Sequence, residues 1–259
     1  MATKPKTLRV VLLAAAGAAV VAGLPWGCAP DSRIQARIQA AIHCDQGVEH
    51  SKRGEWDAAI ECFSKAIELA PREAVVYDNR GFAYAKKGQY DAAIRDCTKA
   101  IDLGHGPAMT YLTRALAFRE KGQHDSAIAD CTKAIELAPQ LARAHFSRGF
   151  SYAGKGNFDA AIEDYTKAIE IDPKYALAYT HRGIAHSGQG QYDAAIADHT
   201  KAVELDSQNP VVYQCRATVH HVKEDYDKAW ADVKECLRLG GEVNPKFLAD
   251  LRKASGREE

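Results

Sequence analysis

The chain has 259 residues, with 34 Lys and Arg against 34 Asp and Glu, and so a formal net charge of zero. This balance argues against general nucleic-acid binding, which needs clustered basic side chains to displace counterions from phosphates. The seven cysteines form no CxxC pair, so the sequence offers neither a zinc ribbon nor a redox motif.

The N-terminal segment differs in kind from the rest of the chain. Lys4, Lys6 and Arg9 form a basic start, and an uncharged run rich in Ala and Gly follows at residues 10–24. This run is shorter than the roughly 20 apolar residues that a membrane-crossing helix needs. A basic region, an apolar region and then small residues are typical of a secretory signal.

The end of this segment resembles the cleavage site of bacterial lipoproteins, in which the Cys becomes the acylated first residue. Gly27 and Cys28 carry the resemblance, while Pro25 and Trp26 depart from it. Three interpretations remain open for residues 1–28: a lipoprotein signal with Cys28 acylated, a plain cleaved signal, or an uncleaved anchor. The first two predict the bacterial cell envelope, on the periplasmic or outer face, and the third predicts attachment to the inner membrane. Residues 29–39 are expected to be a spacer or an extension of the first helix.

A repeat follows. Gly54, Gly88, Gly122, Gly156 and Gly190 lie 34 residues apart, with Glu224 in the sixth place. The same period recurs in Asp57, Asp91, Asp125, Asp159, Asp193 and Asp227, and in Ala59, Ala93, Ala127, Ala161, Ala195 and Ala229. A period of this length indicates stacked supersecondary units.

Each copy contains two helical patterns. In residues 74–107, Tyr77, Gly81 and Tyr84 form one apolar stripe, and Gly88 then ends the first helix. Asp91 is expected to cap the second helix, because its carboxylate can accept an orphan backbone N–H. A column of small residues should let the two helices approach closely; it contains Gly47, Gly81, Ala115, Gly149, Gly183 and Ala217.

The period, the aromatic at Tyr77, the small residue at Gly81 and terminators such as Pro71 resemble the tetratricopeptide family. The resemblance implies an all-α fold, an α-solenoid in which helix-turn-helix repeats form a right-handed superhelix. Six copies are expected over 40–243, at 40–73, 74–107, 108–141, 142–175, 176–209 and 210–243. Residues 244–259 should supply a capping helix and tail, with Phe247, Leu248 and Leu251 on the last hairpin and Lys246, Arg252 and Lys253 facing water.

Two charged columns share the period. Arg80, Arg114, Arg148, Arg182 and Arg216 recur, and Asp96, Asp130, Asp164, Asp198 and Asp232 each lie 16 residues later. The first copy lacks both, with Gln46 and Cys62 in their places. Because the Arg and the Asp are missing from the same copy, we predict that each Arg contacts the Asp of its own hairpin. The alternative is two independent columns that face solvent.

Catalytic and metal sites are not expected. Most Asp, Glu and His occupy repeat-fixed positions, and the sequence has no nucleophile elbow, phosphate loop or metal-ligand motif. His181, His186, His199, His220 and His221 cluster in the last two copies, and could either bind zinc or substitute for core residues bonded to backbone; the second interpretation is favoured. Cys44, Cys62, Cys97, Cys131 and Cys236 are expected to be mostly free thiols, with Cys44 and Cys62 the pair most open to oxidation. No cofactor is predicted.

In the tetratricopeptide family the first helices line a concave groove that holds a peptide or partner. The corresponding residues here are Val75, Asn79, Phe82, Lys86, Met109, Thr113, Leu116, Arg143, Ser147, Phe150, Leu177, His181 and Ile184. Within this set, Phe82, Leu116, Phe150 and Ile184 form an apolar column, and Asn79, Thr113, Ser147 and His181 form a polar column expected to mark the open groove.

The paired Lys and Asn by which some family members grip acidic chaperone tails are absent, because Cys44, Val48, Asn79, Met109 and Thr113 stand at the matching places. The sequence therefore predicts a scaffold, not an enzyme, exported or membrane-tethered. Its partner would be a protein or peptide, not nucleic acid or a small-molecule substrate. The alternatives are an accessory subunit of an envelope enzyme, or a membrane-anchored adaptor facing the cytosol.

Overall fold

The structure is a computed structural model that describes residues 32–257, and these residues form 13 helices with no strand among them. The helices are α1 (Ser32–Lys52), α2 (Trp56–Leu69), α3 (Ala74–Lys86), α4 (Tyr90–Asp102), α5 (Ala108–Glu120), α6 (His124–Leu137), α7 (Ala142–Gly154), α8 (Phe158–Ile171), α9 (Ala176–Gly188), α10 (Tyr192–Leu205), α11 (Pro210–Val222), α12 (Tyr226–Arg238) and α13 (Pro245–Ser255). The predictions for residues 1–28, Cys28 included, lie outside the described part.

Consecutive helices pair into six hairpins, from α1 with α2 to α11 with α12, and each second helix also contacts the next first helix. Successive first helices touch one another as well, for example α3 with α5 and α5 with α7. One hairpin cannot bury its apolar faces alone, so stacking creates a core that runs along the array. The predicted all-α solenoid is confirmed. The first helix begins at Ser32, so residues 32–39 continue the first hairpin.

The turn inside each hairpin depends on a left-handed residue. Gly88 has a φ of 73° and Gly122 a φ of 70°, a region that most side chains avoid. Nothing lies within 4 Å of the place where a Cβ would stand on Gly122, so backbone conformation rather than space selects glycine there. In the last hairpin Glu224 holds the same conformation at φ 61°, and therefore carries backbone strain that its glycine counterparts lack.

The recurring Asp does not cap the second helix as expected. Helix α4 begins at Tyr90, with Gln89 at the cap position, so Asp91 already lies in the first turn. There the carboxylate still favours the positive end of the helix dipole, and it accepts a hydrogen bond from Lys121 of the next hairpin. The column thus links neighbouring hairpins; the other pairs are Lys87 with Asp57, Lys155 with Asp125, Gln189 with Asp159, Lys223 with Asp193 and Arg257 with Asp227.

Close approach of the two helices explains the column of small residues. A Cβ on Gly81 would lie 2.9 Å from the Cys97 Sγ, and one on Gly183 would lie 2.7 Å from the His199 ring. Both distances are too short for real side chains, so the first helix presses its backbone against the second. The predicted role of these small residues is confirmed.

The Arg and Asp columns meet within one hairpin, as predicted. Arg148 donates to both carboxylate oxygens of Asp164 at 2.8 Å, and the same paired bonds join Arg80 to Asp96, Arg114 to Asp130, Arg182 to Asp198 and Arg216 to Asp232. Each Arg also donates to a hydroxyl of the preceding second helix, for instance Arg148 to Thr132 at 3.2 Å. One guanidinium therefore holds its own hairpin together and ties it to the hairpin before it. This bonding, more than the opposing burial, raises the pKa of Arg148.

The predicted cap is confirmed at the C-terminal end. Leu251 is fully buried, and Phe247 and Leu248 pack against the core of the last hairpin, while Lys246, Arg252 and Lys253 are exposed. Within residues 32–257, no helix has the length and apolar character that crossing a membrane requires.

Candidate partner-binding groove

The first helices α3, α5, α7 and α9 contact one another in sequence and present one common surface, which we call the first-helix face. Five large apolar side chains on it are between 37% and 47% exposed: Val75, Phe82, Met109, Leu177 and Ile184. Leu116 and Phe150 continue the row between them and are half-buried. The structure thus brings the predicted apolar column together, with exposure greatest at its two ends.

Two residues of the polar column are buried where the sequence predicted that they would be open to a partner. Thr113 and Ser147 are each only 5% exposed, because the column lies where successive first helices touch. Asn79 is half-buried, with its Nδ2 3.9 Å from the Cys44 Sγ on the preceding first helix. His181 packs its ring 5.1 Å from the centre of the Phe150 ring. This column mainly fills the contact between helices, and so it does not mark an open groove.

A cavity of about 170 Å³ lies at the middle of the face, between α3, α5 and α7. Phe82, Met109 and Leu116 supply apolar walls, and Thr113 borders the cavity from its buried position. The charged residues around it are three cations and one acid: Lys86, Arg119, Arg143 and Glu120. Arg119 was not among the predicted groove residues, because its place in the repeat is occupied by Ala85 and Ala153 in the neighbouring copies.

Two of the cations lie over aromatic rings of the face. The Arg119 guanidinium is 4.6 Å from the centre of the Phe150 ring, and the Lys86 ammonium is 5.4 Å from that of Phe82. Arg119 also donates to the Glu120 carboxylate at 2.5 Å. The positive charge of Arg119 also acts on His181 of α9. Burial is the larger cause that lowers the pKa of His181, and Arg119 lowers it further. His181 is therefore neutral at neutral pH.

An aromatic column missed by the sequence reasoning borders one side of the face. It consists of Trp56, Tyr90, His124, Phe158, Tyr192 and Tyr226, at the start of each second helix. The Trp56 ring packs edge-on against Phe82 at 6.0 Å, and a Cβ on Gly154 would lie 2.6 Å from His124. The signal was present in the sequence, because these residues share the period of 34.

Comparison with known families agrees with this architecture. One model of the tetratricopeptide repeat matches residues 142–175 and 176–209, a TPR repeat model matches 49–88 and 115–156, and a second tetratricopeptide repeat model matches 74–105. Together these matches cover most of the array. The chain belongs to the tetratricopeptide repeat (TPR) family.

Solved TPR structures match over most of their length. The crystal structure of MamA is 29% identical, with a TM-score of 0.59 over 66% of this chain and 93% of that one. PilF from Pseudomonas aeruginosa is 16% identical, with a TM-score of 0.69 over 87% of this chain and 99% of that one. YrrB, described as a TPR protein with an unusual peptide-binding site, is 22% identical, with a TM-score of 0.59 over 71% and 92%. The similarities to PilF and YrrB show only a shared fold. No curated protein sequence matches this chain.

The clustered histidines occupy TPR packing positions. His199 is 1% and His220 6% exposed, and the Nδ1 atoms of both are buried without a hydrogen-bond partner, so the expected bonds to backbone are absent there. Burial lowers the pKa of His199 to about 4, against a smaller opposite effect of Asp198. His186 instead pairs with the Gln191 side chain at 2.6 Å. The described residues contain no group of three His, Cys, Asp or Glu placed to hold a metal ion.

The six cysteines of the described residues are all free, Cys44 and Cys62 included. Cys97 and Cys131 are fully buried between TPR helices, and burial raises the pKa of each to about 12. Because the thiolate is the reactive form, these two thiols are chemically inert at neutral pH.

Proposed function

We propose that this protein is a scaffold that binds a peptide or a protein segment on the first-helix face, and that its N-terminal segment holds it in the bacterial cell envelope. The observation that carries the binding role is the row of exposed apolar side chains on that face. Val75, Phe82, Met109, Leu177 and Ile184 come from three separate hairpins, yet they share one surface. Apolar patches of this kind mark interaction sites in soluble domains.

The recurring charged residues support a binding role over catalysis. Arg side chains bind Asp164 and its counterparts. Asp91 and its counterparts are bound by the next hairpin or, in the last copy, by the C-terminal tail. These side chains hold the stack together and are not free to act as acids or bases. Residues of the first-helix face differ between hairpins, as at Val75, Met109 and Arg143, and such variation would select a partner.

The binding role is tested with groove and control variants. Phe82→Ala combined with Ile184→Ala removes exposed apolar area from the face, and Leu69→Ala with Leu137→Ala removes similar area from the second helices, where both leucines are exposed. Partners are captured by cross-linking in the native host, and each variant's helicity and melting are checked by circular dichroism. The groove pair should lose the captured partner and the control pair should keep it. The opposite result would place the working surface on the second helices.

The proposed tether rests on the basic start, the apolar run and the Gly27-Cys28 pair. If Cys28 is acylated, two or more acyl chains hold the protein at the membrane, since each buried methylene contributes roughly 0.8 kcal/mol. Fractionation and intact mass of the wild type and Cys28→Ala test this. Release of the variant, or accumulation of unprocessed chain, is expected. Unchanged membrane retention with an unchanged mass would exclude acylation and favour the uncleaved anchor.

A further inference from the structure

The centre of the first-helix face carries an uneven charge. Lys86, Arg119 and Arg143 surround the cavity, and Glu120 is its single acid. Because Arg119 donates to Glu120 at 2.5 Å, these two largely neutralise each other. His181 nearby is uncharged at neutral pH, since burial and Arg119 lower its pKa. Two cations, Lys86 and Arg143, are left on a chain whose total charge is zero.

These two cations stand beside apolar surface. Lys86 lies at the C-terminal end of α3 over the Phe82 ring, and Arg143 lies in the first turn of α7, so they approach the cavity from opposite sides. Both are exposed. The walls between them are Met109 and Leu116 of α5. A ligand group that enters here must therefore be anionic where it meets the cations and apolar where it meets α5.

The apolar row continues past the cavity in both directions. Val75 lies on α3 beyond the Phe82 wall at one side, and Leu177 and Ile184 lie on α9 at the other. A chain that ended at the cavity would use only one of these wings. A chain that passes through it would bury both, which adds area and therefore affinity.

From these observations we infer that the first-helix face binds an acidic–apolar peptide segment: internal Asp or Glu side chains enter the cavity that Lys86 and Arg143 line, and large apolar side chains on either side of them lie on the two wings. This inference rests on the proposed function, since it names the partner chemistry of the same face. Internal carboxylates and a peptide's C-terminal carboxylate share the chemistry, and the two wings favour the internal one.

Four fluorescently labelled peptides test the inference by polarisation against the purified chain. The first carries two leucines on each side of a central pair of aspartates. The second and third replace the aspartates by asparagines and by lysines. The fourth ends at the aspartates with a free carboxylate. Acetylated and amidated ends on the first three remove terminal charges from the comparison.

The aspartate peptide should bind about tenfold tighter than the asparagine peptide and more tightly still than the lysine peptide, with the difference shrinking at high salt. It should also bind more tightly than the truncated one. Lys86→Gln with Arg143→Gln should abolish the preference for aspartate, while Lys99→Gln with Lys133→Gln, an equal loss of two exposed charges on second helices, should leave it intact.

The outcomes separate the inference from the proposal beneath it. Equal binding of the aspartate and asparagine peptides, both lost in Phe82→Ala, would overturn the charge preference and retain the groove. Binding of every peptide that survives Phe82→Ala and Ile184→Ala would overturn both. Tighter binding of the truncated peptide, or no binding of any peptide, would overturn the inference. Capture of the native partner would then still test whether the first-helix face is the binding surface.

Discussion

At the C-terminal end of the array, α13 closes the last hairpin. Leu251 is fully buried there, the Trp230 Nε1 donates to the Ser255 Oγ at 3.1 Å, and Arg257 pairs with Asp227 at 2.6 Å. At the other end, α1 presents Ile34, Ile38 and Ile42, which are 55%, 42% and 39% exposed. Among the described residues no helix precedes α1. Within residues 32–257, one end of the solenoid therefore has a cap, and the other presents exposed apolar side chains.

The same repeat position shows what a neighbour decides. Ile42 corresponds to Val76, Thr110, Ala144, Ala178 and Val212 in the later hairpins, all of which are at most 3% exposed. The later residues are buried because a preceding hairpin packs on them. The first hairpin also lacks the Arg that would tie it backward, since Gln46 stands in that place. Burial in a solenoid is thus set by order in the stack as much as by residue type.

The largest expected effect tests the cap. Leu251→Ala should destabilise the protein by about 2–5 kcal/mol, because it removes a fully buried side chain and leaves a cavity. Ile38→Ala on the exposed side of α1 should change stability by less than about 0.5 kcal/mol, as substitutions at exposed positions usually do. Urea unfolding followed by circular dichroism gives both values. Equal losses would mean that this side of α1 is covered in solution.

The buried salt bridges inside the hairpins should have the next largest effect on stability. Arg148→Ala should cost about 3 kcal/mol, because it leaves the buried Asp164 carboxylate without its charged partner and also removes the bond to Thr132. Lys155→Ala breaks an exposed pair with Asp125 and should cost under about 1 kcal/mol. The same unfolding experiment compares the two variants. A small loss of stability in Arg148→Ala would show that water solvates the Asp164 carboxylate in place of the guanidinium.

Acid should loosen the C-terminal half first. His199 has a pKa of about 4 when folded and near 6.5 when unfolded, so the unfolded state binds the proton first as pH falls. The stability that neutral His199 contributes is fully present above about pH 6.5. It is lost as the pH falls towards 4, which lowers the free energy of unfolding by up to about 3 kcal/mol. Burial also lowers the pKa of His181 and His220 in the same two hairpins.

Hydrogen exchange at pH 7 and pH 5 measures this difference along the chain. Amides of α9 to α12 should lose more protection at pH 5 than those of α3 to α6. The variant His199→Gln, which cannot titrate, should show a flatter pH dependence of stability between these values despite a lower stability overall. Uniform loss of protection along the array would contradict a local origin.

The smallest effect concerns the turn of the last hairpin. Glu224→Gly should stabilise the protein by about 1 kcal/mol, because glycine adopts the positive φ without strain. Gly122→Ala in an interior turn should destabilise it by about the same amount. Thermal melting of the two single variants measures both shifts. A destabilising Glu224→Gly would show that the glutamate side chain makes a compensating interaction.

The sequence by itself determined the hairpin, its number of copies and its internal ties. The period repeats the positions of Gly88, Gly81 and the pair Arg80–Asp96 along most of the array. A residue needed for its backbone or for a partner within the same hairpin is readable from spacing alone. The C-terminal cap was also predictable, because Phe247, Leu248 and Leu251 form a helical stripe after the last copy.

Only the tertiary structure decided which side chains face outward between hairpins. Thr113 and Ser147 were expected to line an open groove, yet successive first helices enclose them. Asp91 was expected to cap its own helix, yet it binds Lys121 of the next hairpin. The cationic centre formed by Lys86, Arg119 and Arg143 joins three different first helices, and their meeting follows from the offset between stacked hairpins. The period of a repeat defines each unit's own contacts, whereas the rotation from one unit to the next arises from packing across the whole interface.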